Sequence, residues 1–182
     1  IAEKTRSRII ASSSLNFQIE LMEHVGEEDI PQLILISEHL VEEFTEDVRL
    51  TKTSIRKYFN YPHTLPFVAR QSGEIIGYII GVPLEYFSND PSFQCDKNLG
   101  ERNTLYTYAF VVNSKYRGKG GYGKTLKRIY VNWAKKQKYN YITGHVEQGI
   151  SKQFPGKTEI VKVFPHWYGL KTPFEYYRRS LG

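Results

Sequence analysis

The chain is poor in sulfur: its 182 residues include one cysteine and one methionine. A lone cysteine, Cys95, excludes any disulfide within the chain. Its setting, FQCDKN, predicts a passive thiol in a reducing compartment, hence a cytoplasmic location. No apolar run approaches the roughly 18 residues of a membrane-spanning helix, so no membrane partner is expected. The opening stretch, IAEKTRSRIIASSS, has basic residues and serines but no apolar block, so no signal peptide is expected and residues 1–14 read as a tail. No nucleic-acid motif is present, and Lys and Arg are spread along the chain, so nucleic acid is not the expected partner of the net charge of +6. A polyphosphate ligand would account for that charge. Repeats and linkers are also lacking, which predicts a single domain over residues 15–182.

What is present suits a folded core. Hydrophobic residues make up 40% and charged residues 24%, a balance that excludes wholesale disorder. Residues 16–22 alternate as a strand does. Ile30, Leu33, Leu40, Val41 and Phe44 recur at helical spacing behind the acids Glu27, Glu28 and Asp29. TKTSIRKYF predicts a second helix, capped by Thr51 or Thr53. Residues 66–70 and 74–82 flank Ser72 and Gly73 as a hairpin. Residues 84–103 read as a loop and residues 104–112 as a strand. An amphipathic helix follows from about Gly123, with Leu126, Ile129, Tyr130 and Trp133 on one side. Residues 139–146 predict a strand, residues 157–164 a short helix, and PFEYYRRSL a last strand. A central hairpin with one βαβ unit implies a mixed sheet.

Residues 116–126, YRGKGGYGKTL, carry the chemistry. From Gly118 they match the nucleotide-binding pattern G-x-x-x-x-G-K-[ST]. From Arg117 they are nearly R-x-x-G-x-G, a coenzyme A phosphate loop. Both patterns set phosphate on backbone amides at a helix start. Three features weigh against a nucleotide hydrolase. NSKYR separates Val112 from Gly118, the next strand ends in GHVE without a clear Mg²⁺ carboxylate, and under a third of the chain follows Thr125.

The segment FVVNSKYRGKGGYGKTL, with the order of elements around it, resembles the GNAT (GCN5-related N-acetyltransferase) superfamily. One glycine stands in excess: the sixth position from Arg117 is Tyr122. The resemblance implies an α+β fold, with a mixed, mostly antiparallel central sheet of about six to seven strands. Helices would flank the sheet, and its fourth and fifth strands would splay. It implies direct acetyl transfer from acetyl-CoA to a primary amine, without a metal. Pantetheine would pair with Phe110, Val111 and Val112. The pyrophosphate would lie on Arg117, Gly118, Lys119, Gly120, Gly121, Tyr122, Gly123 and Lys124.

The strand at 104–112 carries no carboxylate to serve as a base. Tyr106 and His145 resemble the water-holding pair of some N-terminal amine acetyltransferases, and an imidazole of ordinary basicity could take the amine proton. Glu147 is a spare base. Tyr168, in HWYG, is the candidate acid, because Phe164 stands where the family's helix tyrosine is expected. By family analogy, residues 27–60 and 84–103 line the acceptor pocket. They mix Glu42, Glu43, Glu46 and Asp47 with Phe44, Tyr58, Phe59, Tyr86 and Phe87, a set that fits a cationic amine or a solvated helix face. The alternative function is a catalytically silent acyl-CoA-binding domain. Oligomeric state is open, a homodimer included.

Overall fold

The computed structural model describes residues 3–14, 16–60, 63–118, 120–170 and 172–182. Its elements are β1 (Arg6–Ser12), β2 (Phe17–His24), α1 (Ile30–Val41), α2 (Lys52–Phe59), β3 (Leu65–Gln71), β4 (Glu74–Pro83), β5 (Thr104–Val112), α3 (Tyr122–Lys136), β6 (Tyr141–Glu147), β7 (Thr158–Phe164) and β8 (Phe174–Ser180). The strands form one sheet in the order β1-β2-β3-β4-β5-β6-β8-β7. Its ladders β1–β2, β2–β3, β3–β4, β6–β8 and β7–β8 are antiparallel, and β5–β6 is parallel. This is the mixed, mostly antiparallel α+β architecture expected, with eight strands rather than six or seven. Among the described residues, no helix is long and apolar enough to cross a membrane.

Two corrections account for the larger count. Residues 6–12 are not a tail: they pair with β2 from Arg6↔His24 to Ser12↔Gln18. Thr5 anchors this strand by donating its N–H to Glu28 at 2.8 Å and its hydroxyl to Asp29 at 2.6 Å. Residues 157–164 are not a helix: Thr158–Phe164 pairs with β8 from Thr158↔Arg179 to Phe164↔Phe174. The β-branched run T-E-I-V-K-V-F favours a pleated strand over a helix. Only a 3-10 turn, Ser151–Gln153, lies between β6 and β7.

Elsewhere local chemistry does as expected. Thr51 caps α2 in a reciprocal pair with Ser54. Ser72 and Gly73, at φ 51° and 84°, turn the β3–β4 hairpin.

The chain divides into two compact units. The first comprises Ile1–Gly81 and Ala109–Tyr130. Its core holds Ile19, Leu33, Ile36, Ile55, Phe59, Phe67, Tyr78 and Leu126, all essentially without exposure. Arg70 of β3 ties this unit together, at 2.5 Å from Glu20 of β2 and 2.8 Å from Asp29 ahead of α1. A close backbone approach also occurs here. A Cβ on Gly77 would lie 2.7 Å from the Val111 carbonyl oxygen and 3.2 Å from Val112 Cα, so β4 passes β5 at a distance only glycine permits. The second unit comprises Val82–Tyr108 and Val131–Gly182. Its core is aromatic: Leu84, Phe93, Tyr106 and Tyr176 form a buried cluster, with Phe87, Leu99, Tyr108, Val161 and Phe164 packed against it.

Gly77→Val must push backbone rather than a flexible side chain. It should lower stability by about 1–3 kcal/mol, read as a drop in the urea midpoint at unchanged slope.

Candidate active site

In the first unit, β5 ends at Val112 and the Asn113 side chain caps a 3-10 turn, Ser114–Tyr116, by accepting from Lys115 N–H at 3.1 Å. The chain then passes Gly118, Gly120 and Gly121 with φ of 70°, 61° and 66°. Such left-handed angles are open to glycine and strained for most other residues. A Cβ on Gly118 or Gly121 would meet nothing within 4 Å, so the loop presents bare backbone to open space. A Cβ on Gly120 would come within 2.9 Å of the Tyr122 ring, which closes that side.

α3 starts at Tyr122, one residue earlier than expected, and Thr125 N–H donates to the Gly121 carbonyl at 3.0 Å. The N–H groups of Tyr122, Gly123 and Lys124 precede that bond and have no carbonyl within the helix. No acid stands in the first turn, so the helix dipole is not offset there. Free amides, a positive dipole and bare glycines form a cradle for an anion, and a pyrophosphate fits this donor set.

At the helix start, Gly121-Tyr122-Gly123 has the G-x-G spacing. A Cβ on Gly123 would sit 3.4 Å from the Phe110 ring and 3.6 Å from Val112, an ordinary van der Waals contact. The Tyr122 ring packs on Phe17 at 4.8 Å and on Tyr116 at 5.9 Å. Arg117 braces the loop, its Nε donating to the Val112 carbonyl at 2.9 Å. Its other nitrogen lies 3.7 Å from Glu43 in an exposed pair that contributes little stability. Lys124 is exposed. Lys119 lies outside the described residues.

In the second unit the parallel ladder of β5 and β6 is three pairs long: Thr104↔Tyr141, Leu105↔Ile142 and Tyr106↔Thr143. β5 runs on to Val112 beyond the last pair, which is the splay expected of these strands. Tyr106 closes the ladder, and His145 stands two residues past its partner on the same face. The structure joins them directly: Tyr106 Oη lies 2.8 Å from His145 Nδ1. A water between the two, as the resemblance implied, has no room.

Aromatic rings surround the pair. His145 stacks on Trp167 at 3.7 Å and 19°, with Phe93 and Phe164 each at 5.3 Å and Tyr176 at 4.8 Å. Phe93 meets Tyr106 edge-on at 4.8 Å, and Phe87 meets it at 5.0 Å. Burial in this shell pushes the His145 imidazole down to about 3. The ring is therefore neutral at physiological pH and is not the base of ordinary strength that its residue type suggested. His145 Nε2 is buried and has no hydrogen-bond partner among the described residues.

The remaining candidates are placed as follows. Glu147 ends β6 exposed. Tyr168 belongs to the 3-10 turn Trp167–Gly169, but its side chain lies outside the described residues. Phe164 sits on β7, not on a helix. Glu42, Glu43, Glu46 and Asp47 are exposed. Glu43 faces Arg117, and Glu46 with Glu38 holds Arg49, so part of this acidic set is already paired. Sequence reasoning missed Trp167, Phe93 and Asp96. No local periodicity announces them, since each acts through contacts distant in sequence.

A glycine cradle at a helix start, set on a mixed sheet with one short parallel ladder, defines an acyl-CoA-dependent acyltransferase fold. The family model described as "Acetyltransferase (GNAT) family" matches residues 33–152, and the chain belongs to that family. No curated protein matches the chain. Solved structures of similar fold include a GCN5-related N-acetyltransferase from Kribbella flavida, at TM-score 0.66 and 18% identity, over 92% of this chain and 99% of that one. The ribosomal-protein-S18-alanine N-acetyltransferase from Escherichia coli is similar at TM-score 0.65 and 11% identity, over 91% and 94%. An N-acetyltransferase from Staphylococcus aureus Mu50 is similar at TM-score 0.62 and 14% identity, over 92% and 99%. The G-x-x-x-x-G-K-T match is thereby a coincidence of composition.

The depressed His145 has a stability signature. Unfolded, the ring protonates near 6.5; folded, it stays neutral until about 3. The unfolded state then binds the extra proton, so this group makes stability fall as pH drops from about 6.5 toward 3. His145→Phe should flatten that part of the pH–stability curve, measured by urea unfolding between pH 4 and pH 7.

Proposed function

We propose that the protein transfers the acetyl group of acetyl-CoA to a primary amine, on a small molecule or on a protein N-terminus or lysine. The observation that carries this reading is the glycine-lined start of α3, whose free amides suit the pyrophosphate of coenzyme A. Residues 117–124 hold the phosphates. Phe110, Val111 and Val112 offer the β5 backbone to pantetheine, which would add to it like a strand. Acetyl-CoA supplies an acetyl thioester, whose carbonyl the amine attacks and whose thiol departs.

The amine must first lose a proton. Tyr106 takes it on its phenolic oxygen while giving its own proton to His145 Nδ1. The apolar shell makes the resulting imidazolium short-lived: its buried Nε2 has no partner among the described residues to release to, so the proton returns through Tyr106 to solvent as the product leaves. A neutral ring is suited to this relay, although it is a weak resident base. Tyr168 is assigned the proton donated to the departing thiolate. A cytoplasmic location completes the proposal and accords with the single free thiol, Cys95.

Two features favour a second reading, a silent acyl-CoA-binding domain. β5 carries no carboxylate, and no helix between β6 and β7 bears an acid tyrosine.

Two sets of variants test these roles. Gly121→Val forces a branched side chain onto a φ of 66° and should raise the calorimetric Kd for coenzyme A by about 10-fold or more. Unchanged affinity in a folded variant would place the cofactor elsewhere. Tyr106→Phe and His145→Ala should each lower kcat by about 10²-fold while KM for acetyl-CoA holds. The double variant should lose little more, because both groups serve one proton path. Full activity in His145→Ala would leave Glu147 or solvent as the acceptor.

A further inference from the structure

Residues 84–103 were expected to be an acceptor-lining loop, yet they are stitched into a compact piece. The Glu85 carboxylate accepts Gly100 N–H at 2.9 Å and Arg102 N–H at 3.4 Å. Gln94 Nε2 donates to the Ser88 carbonyl at 2.7 Å. Asp96 Oδ1 accepts Asn98 N–H at 2.9 Å. This piece is fastened to β8 by a buried carboxylate. The Asp96 side chain is 0% exposed, accepting the Tyr176 hydroxyl at 2.5 Å and the Arg178 guanidinium at 2.6 Å. Arg178, itself 6% exposed, reaches Glu159 of β7 at 2.8 Å with its other nitrogen. A buried carboxylate needs such partners, so Asp96 can occupy only this place.

Three residues before Asp96, Phe93 carries the consequence. Its ring meets Tyr106 at 4.8 Å, His145 at 5.3 Å and Tyr176 at 6.1 Å, and Phe87 stacks on its other side at 4.4 Å. We infer that Asp96 is a positioning residue for the Tyr106–His145 pair: by pinning residues 84–103 to β8 it holds Phe93 against both rings and keeps water from them. The catalytic part of this inference rests on the proposed function; the positioning part does not.

The groups around His145 agree with a shell that acts by excluding water. From β5 it faces Tyr106 and from β8 Tyr176, whose hydroxyl is held protonated by burial and by its bond to Asp96. From β7 it faces Phe164, with Lys162 lying over that ring at 5.0 Å. From the turn at 167–169 it faces Trp167, and from residues 84–103 it faces Phe93. Cys95 packs against the same cluster, its thiol pushed up by burial. Among the described residues, no ring or hydroxyl in contact with His145 carries a charge. Its protonation therefore reports how well Phe93 is held.

The test is an NMR titration of the full chain labelled with ¹⁵N-histidine, with the His145 signal assigned by its loss in His145→Gln. Wild-type His145 should stay neutral from pH 5 to pH 8. In Asp96→Asn its midpoint should rise by at least about one pH unit. In the same variant kcat should fall about 10-fold, with KM for acetyl-CoA unchanged. Phe93→Leu leaves the ion pair intact and should move the same signal upward, which keeps the test available if Asp96→Asn does not fold. A signal that stays untitrated in both variants overturns the inference, as does a wild-type midpoint near the ordinary histidine value. A shifted titration in a protein that transfers no acetyl group upholds the positioning role and overturns the proposed reaction.

Discussion

Three rungs of backbone hydrogen bonding set what β5 and β6 can do. Their parallel ladder begins at Thr104↔Tyr141 and ends at Tyr106↔Thr143, although each strand continues. Ending there has two effects. It puts Tyr106 on the last rung, so that His145, two residues beyond Thr143, shares its face and meets its hydroxyl at 2.8 Å. It also leaves the β5 backbone beyond Tyr106 without a β6 partner, and within the first unit Gly77 lets β4 approach β5 at a distance a side chain would forbid. A longer ladder would consume the backbone that the proposed pantetheine pairing requires.

The apolar shell explains why the pair is neutral. Trp167 stacked on the imidazole, with three further rings close by, makes a charged histidine costly. That cost keeps the resting His145 neutral and makes any protonated state of it brief. The buried Asp96–Arg178 pair plays the opposite part: it keeps charge inside the unit, where it orients a segment rather than taking part in proton transfer. An ion pair of this kind adds little to stability by itself, but removing one partner leaves the other unpaired. Glu42, Glu43, Glu46 and Asp47, which follow α1, are exposed, and part of that set is already engaged with arginines, so they define no acceptor.

Much of the fold was legible because it is written locally. The hairpin shows in Ser72 and Gly73, the second helix in Thr51 with Ser54, and the cradle in four glycines before an amphipathic run. β1 was not legible, since RSRIIAS is basic, serine-bearing and largely exposed; its place comes from pairing with β2 and from Thr5 bonding to Glu28 and Asp29. β7 was expected as a short helix, against the β-branched content of TEIVKVF, and its place comes from pairing with β8. The family resemblance named Tyr106 and His145 as a pair. Their direct contact, and the rings that lower the basicity of His145, could not be read from it, because Phe93 and Trp167 reach them through packing that no spacing encodes.

The central claim is that this cradle serves acetyl transfer. The most direct test incubates the full chain with acetyl-CoA and a panel of primary amines, including a peptide with a free N-terminus, a lysine peptide and a small polyamine. Free thiol and N-acetylated product are then followed together by mass spectrometry. The account predicts coenzyme A and one acetylated amine appearing in equal amounts, with the rate lost in Tyr106→Phe. Tight binding of acetyl-CoA with every amine left unmodified would contradict it and identify a domain that binds the thioester without using it.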